Sequence, residues 1–223
     1  MTLKLLIQAI LKFILGAVLV GLFVFIPAGT LNFLNGWLFM GILFVPMFVA
    51  GVVMMIKNPS LLKSRLDAKE TKKEQGLFVK LSGIMFLAGF IVAGLDFRFG
   101  WSNLPRIVII VSAVLFLIAY GFYAEVLREN TYLSRTVEVQ EGQKVIDTGL
   151  YGIVRHPMYT VTLFLFLTMP LILGSVYSFI IFLVYPFIIA KRAIHEEKVL
   201  AKELDGYKEY MKKVKYRLIP FIW

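Results

Sequence analysis

The polar segment Glu129 to Tyr159 and the basic tail that begins at Lys191 hold most of the groups able to do chemistry in this 223-residue chain. The first ends in the run Arg155-His156-Pro157-Met158-Tyr159, and the second opens with Lys191, Arg192, His195, Glu196 and Glu197. On a helix Arg192 and Glu196, four residues apart, share a face, while Glu197 must point elsewhere. A guanidinium fork beside a carboxylate suits recognition of an anionic or polyfunctional small molecule. With no cysteine, the chain has no disulfide framework, thiolate zinc site or thiol nucleophile. Two histidines among scattered carboxylates show no metal-ligand spacing, so no metal is expected.

Each of these residues also has a plain structural reading. His156 and Pro157 suit the start of a helix, since proline is favoured in a first turn. Glu196 and Glu197 suit a solvated helix face, and Arg192 a positive-inside anchor. Arg217, Tyr207 and Tyr210 are either site residues or interfacial anchors; Asn130 and Ser134 either cap a helix or touch a ligand.

The elements that must position these groups are membrane helices. The chain is 59% hydrophobic and 17% charged, well beyond the balance of a soluble domain. Apolar runs of the length a bilayer core requires cover Leu5 to Ile26, Phe33 to Ile56, Leu77 to Leu95 and Ile107 to Leu127. The first is too long for a signal peptide and is expected to remain as a span. The formal charge of +10 sits in short segments between apolar runs, which indicates membrane topology and no nucleic-acid partner. Seven basic residues against three acids between Lys57 and Lys80 put that loop in the cytoplasm. Both termini and the Glu125 to His156 segment then lie on the same side.

The next apolar run, Tyr159 to Ala190, is too long for one crossing, is interrupted at Pro170 and at Gly174-Ser175, and is bracketed by Arg155, Lys191 and Arg192. A helical hairpin accounts for all of this and brings His156 close to Glu196. The tail from Lys191 to Trp223 has nine basic and five acidic residues with apolar positions at helical spacing, and reads as an amphipathic helix interrupted near Gly206. Val137, Val139, Val145 and Ile146 around Gly142 suit a small hairpin or extended cover. The expected fold is all-α and multi-pass: four transmembrane helices, a broken helical hairpin and a cytoplasmic C-terminal amphipathic helix. It forms a single domain over 1–223, with the spans in 1–127 and the working part in 128–223.

Taken in order, RHPMY, an apolar hairpin, HEEKVL at His195 to Leu200 and the tail YKEYMKKVKYRLIP ending at Pro220 resemble the isoprenylcysteine carboxyl methyltransferase and phospholipid methyltransferase group. The likeness covers about Asn130 to Trp223. It implies a membrane methyltransferase that uses S-adenosylmethionine, held by Gln140, by Gln143, Lys144, Val145 and Ile146, and by Tyr151, His156 and Glu196. It assigns the acceptor to Arg192 and implies a prenylcysteine-like carboxylate, lipophilic or prenylated, that enters from the bilayer among membrane lipids. Two departures bear on acceptor size: ELDGYKEY replaces a Phe-Gly-Glu-Glu-Tyr type of run, and Val161 stands where many members have glycine. Methyl transfer from a sulfonium relies on in-line approach and a desolvated nucleophile. A carboxylate acceptor needs no base, whereas a phospholipid amine or small thiol needs a proton acceptor such as Glu197, Glu129 or a water. A non-catalytic membrane protein or transporter is the remaining alternative, and the near absence of mid-span charge speaks against transport.

Overall fold

The computed structural model describes residues 3–67, 73–130, 132, 139–140 and 142–223, apart from the side chains of 64, 67 and 73–75. Helices dominate: α1 (Leu3–Ala28), α2 (Leu34–Lys57), α3 (Pro59–Asp67), α4 (Lys73–Phe99), α5 (Arg106–Glu129), α6 (Pro157–Leu173), α7 (Val176–Phe182), α8 (Tyr185–Glu203) and α9 (Tyr207–Lys213). A 3-10 turn at Gly149–Gly152 precedes α6, and the described residues contain no strand. Among the described residues, five stretches are long and apolar enough to cross a membrane: α1, α2, residues 76–99 of α4, α5, and the α7–α8 run Val176–Glu203. Four of these are the expected N-terminal spans, and the fifth is the second arm of the hairpin.

Aliphatic and aromatic side chains facing outward on α1, α2 and α5, among them Leu11, Leu15, Val45, Phe48, Ile110 and Ile118, are exposed, as lipid-facing residues are. The buried core runs instead through Val24, Phe39, Phe90, Phe116, Ile172 and Phe182. The α5 helix lies along α6, and α1 along α4.

The hairpin is present, but Pro170 is not its break. Pro170 lies inside α6, where neighbouring helices can re-satisfy the carbonyl its ring leaves unpaired. The turn is made at Gly174, whose φ of 84° and ψ of 20° is a left-handed cap conformation that glycine adopts without penalty. Ser175 then caps α7 by accepting from the Ser178 N–H at 3.0 Å. Asp96 pins this turn. Its carboxylate is 2% exposed and accepts from Ser175 Oγ at 2.5 Å, Ser102 Oγ at 2.6 Å and Ser102 N at 2.6 Å.

The tail also differs from a separate amphipathic helix. Pro186, in the first turn of α8, ends α7 by its missing N–H and then starts a helix that runs without interruption from the apolar Tyr185–Ala190 stretch to Glu203. Arg192, Glu196 and Glu197 therefore ride on the hairpin's own second arm. The expected interruption near Gly206 is there: φ at this glycine is 81°, α9 follows, and irregular chain returns to α6. Around Gly142, Val139, Val145 and Ile146 form neither strand nor helix; Val137 and Ser134 lie outside the described residues.

Candidate functional site

Proline disfavours helical backbone in the residue before it, and His156 is accordingly extended, with φ −126° and ψ 64°, before Pro157 opens α6. This leaves two backbone donors of the RHP segment without helical partners, and the tail accepts both. Arg155 N–H donates to the Tyr216 carbonyl and His156 N–H to that of Arg217, each at 2.9 Å. The Arg155 guanidinium adds bonds to the carbonyls of Val214 at 2.7 Å and Lys215 at 2.9 Å, and the Thr160 hydroxyl donates to Leu218 at 2.6 Å. The segment 214–218 is thus stitched to the start of α6.

Glu197 is the hub of this junction. Only 3% exposed, it accepts from Arg155 Nε at 2.6 Å through one oxygen and from Arg217 Nε at 2.8 Å through the other; His156 Nε2 lies 3.3 Å from the first. A carboxylate taken out of water at this depth persists only when paired and hydrogen-bonded, and here two guanidinium groups meet that need.

Glu196 faces a different set of groups. Its Oε2 accepts from the Tyr159 hydroxyl at 2.5 Å, and the same hydroxyl accepts from Arg192 Nε at 3.1 Å. His156 Nδ1 is 3.9 Å from Glu196 Oε2, and its ring stacks on Tyr159 with centroids 5.4 Å apart. The imidazole consequently sits between both carboxylates. One turn farther along α6, Thr162 accepts from the Tyr185 hydroxyl at 2.9 Å, a second tie between α6 and α8.

The segment before α6 is anchored as well. Glu129, at the end of α5, accepts from the Thr148 hydroxyl at 3.0 Å and Leu150 N–H at 3.1 Å. Asn130 donates to the Tyr151 hydroxyl at 2.9 Å, while the Tyr210 hydroxyl donates to the Tyr151 carbonyl at 2.7 Å. Burial pushes the Tyr151 phenol above its ordinary pKa, with a smaller contribution from the nearby carboxylates of Glu196 and Glu129; it is a neutral hydroxyl at physiological pH. Gln140 directs its amide N–H to the Tyr132 carbonyl at 2.7 Å, and its backbone N–H donates to Gln143 Oε1 at 2.9 Å. Lys144 is exposed. Val145 packs with Val139 and Leu200 on the cluster of Leu204, Tyr207, Tyr210 and Val214, and Ile146 on the main core. Leu200 is one helical turn from Glu196, so Val145 borders that face of α8.

The structure therefore joins His156, Glu196 and Arg192 in one network through Tyr159, sets Tyr151 and residues 145–146 beside it, and engages the Gln140 side chain within its own loop. Sequence reasoning missed Tyr159 as the bridge and Glu197 as the anchor. The fixed spacing of Arg155 and His156 ahead of the hairpin, with two adjacent carboxylates on its far arm, was the available signal. S-adenosylmethionine needs acceptors for an ammonium and ribose hydroxyls and donors for a carboxylate and an adenine edge. Glu196, the Tyr159 hydroxyl and the Arg192 guanidinium bring acceptor and donor groups of these types together.

Residues 106–205 match the family model described as phospholipid methyltransferase. Over 91 residues the chain is 31% identical to the Delta(14)-sterol reductase TM7SF2 of Mus musculus, a match covering 40% of this chain and 22% of that protein. The aligned part is thus about a fifth of the relative's length.

Proposed function

We propose, from the match of residues 106–205 to the phospholipid methyltransferase family model, that this integral membrane protein methylates the carboxylate of a lipophilic, prenylcysteine-like acceptor. S-adenosylmethionine would be the donor, supplying an electrophilic methyl group on sulfonium. The observation that carries the reading is the Tyr159 hydroxyl bonded to both Glu196 and Arg192. It fixes a carboxylate for the cofactor and a cation for the acceptor side by side, on rigid helices.

Each residue has a binding or orienting task. Glu196 accepts from the ribose hydroxyls or the ammonium. Tyr151, residues 143–146 and His156 border the same ligand, with Gln140 shaping the loop. Arg192 orients one acceptor oxygen and balances its charge. Orientation matters because placement and desolvation supply most of the rate in such a transfer. The positive charge of the α2–α4 loop and of the tail supports a cytoplasmic orientation for the active face and both termini.

A carboxylate acceptor is favoured over an amine or thiol by the state of the two candidate bases. Glu197 is bonded by two arginines, and Glu129 by the 148–150 turn. Neither is placed to take up a proton. The test is transfer of labelled methyl from S-adenosylmethionine to N-acetyl-S-farnesylcysteine in reconstituted vesicles. Methyl ester formation, reduced about tenfold or more in Arg192→Ala, supports the proposal. Transfer to an amine or thiol amphiphile and not to the acid would move the acceptor class. The likeness to a sterol reductase motivates one rival reading, a reductase of a lipophilic substrate; saturable binding of NADPH in place of S-adenosylmethionine would favour it.

A further inference from the structure

Beyond the Glu196 network lies a half-open chamber of 380 Å³ lined mainly by α2, α5 and α6. Its walls are aliphatic, aromatic and thioether groups, including Met47, Phe116, Phe166 and Met169, and its size falls in the range of small-molecule sites. Thr162, one turn along α6 from Tyr159, belongs to the wall, so the chamber reaches the level of the proposed site. Among the described lining residues Arg65 is the one that carries a charge.

Arg65 comes from α3, outside the segment that matches the family model. Leu62 of this short helix is buried against Leu5 and Met55, Leu66 packs on the same cluster, and the Leu66 carbonyl accepts from Lys12 Nζ. That docking on α1 and α2 turns Arg65 toward α5, where its guanidinium lies 5.9 Å from the centroid of the Tyr123 ring.

A second cavity, of 660 Å³, lies on the outer side of the α2–α5 seam and is lined by the exposed side chains of Val49, Val53 and Leu117. It shares Ala50, Met54, Tyr120, Ala124 and Leu127 with the chamber. The outer groove and the chamber are thus two faces of one seam, bounded toward the far end by the Tyr120 hydroxyl donating to the Leu43 carbonyl at 3.1 Å.

We propose that Arg65 determines acceptor specificity by recognising the anionic head of a single-chain amphiphile whose apolar tail occupies the α2–α5–α6 chamber, reached from the bilayer along the α2–α5 groove. The proposal rests on the acceptor being a lipophilic carboxylate, as argued above. A guanidinium offers a carboxylate a two-donor fork and repels an ammonium head, while an alcohol of the same chain would gain the tail's burial alone. The methionines let one chamber accept chains of differing shape.

The test is photolabelling of the full-length protein in nanodiscs with a diazirine-bearing palmitic acid, compared with the alcohol and the amine of the same chain. The expected result is acid labelling at Met47, Phe116 or Met169 at least tenfold above that of the alcohol or amine. Because Arg192 also faces the acceptor oxygens, this preference should fall to about threefold or less in Arg65→Gln and stay higher in Arg65→Lys, with S-adenosylmethionine affinity equal in all three proteins. Equal labelling of these residues by acid and alcohol in the native protein overturns the proposal, as does a preference undiminished in Arg65→Gln. The native comparison decides even if a variant fails to fold. Labelling needs no methyl transfer, so a protein that selects the acid but does not bind S-adenosylmethionine would refute the methyltransferase reading and leave the anion site standing.

Discussion

The Tyr159 hydroxyl meets Glu196 Oε2 at 2.5 Å across 37 residues of sequence, and in doing so closes α6 onto α8 at the candidate site. Tyr159→Phe removes a bond to a charged group, worth about 1.5–3 kcal/mol. Affinity for S-adenosylmethionine is expected to fall about tenfold to a hundredfold, measured by calorimetry, and the melting midpoint to drop as well, by less than in Glu197→Ala. A variant with native affinity would show that Tyr159 does not position Glu196.

Glu197 has a different task, and its variants should separate the two. In Glu197→Ala, Arg155 and Arg217 lose a shared partner within a buried junction, a type of loss that costs about 3–5 kcal/mol. Thermal melts in a fixed detergent should show a large drop in midpoint, with a smaller drop for Glu197→Gln. An unchanged midpoint for Glu197→Ala would contradict its role as the anchor of the tail.

Gly149 lies against Glu129 at the end of α5. Its φ is +49°, and a Cβ there would lie 2.1 Å from Glu129 Oε1. Gly149→Ala should destabilise by at least the left-handed penalty of about 1–2 kcal/mol. Adding Glu129→Ala should relieve the clash without restoring native stability, because the backbone strain remains and the turn's two bonds to Glu129 are gone. Melting of the single and double variants reads this out.

Asp96 offers the converse control. It sits at the end of the hairpin remote from His156, a distance of roughly 26 Å along the 17 residues of α6 at 1.5 Å each. Asp96→Ala should lower the melting midpoint by removing the three hydrogen bonds of a buried carboxylate, yet leave S-adenosylmethionine affinity within about twofold for the protein that remains folded. Loss of affinity in parallel with stability would mean that the two ends of the bundle are coupled.

The spans were legible because lipid imposes long apolar runs and punctuates them with charge, so α1, α2, α4 and α5 fall within a few residues of their expected bounds. The hairpin was legible for the same reason. The break was assigned partly to Pro170 because a single sequence cannot reveal that neighbouring helices accommodate a mid-helix proline, whereas Gly174 carries a conformation that shows only in the backbone. The helix α3 escaped notice: nine residues with three basic or acidic side chains among them give no periodicity long enough to read. Glu196 is singled out by the resemblance, as the first carboxylate of its pair. The roles of Glu197, Arg155 and Arg217 could not be, since they arise where the tail folds back on α6 through backbone bonds of Arg155 and His156 that no side-chain pattern encodes.

The central claim is that Glu196 and His156 border a site for S-adenosylmethionine. Calorimetric titration of the purified full-length protein with that compound, alongside Glu196→Ala and His156→Ala, tests it most directly. The account predicts saturable binding with one site per chain, weakened tenfold or more in each variant. Absence of binding to the native protein, or native affinity in both variants, would contradict it.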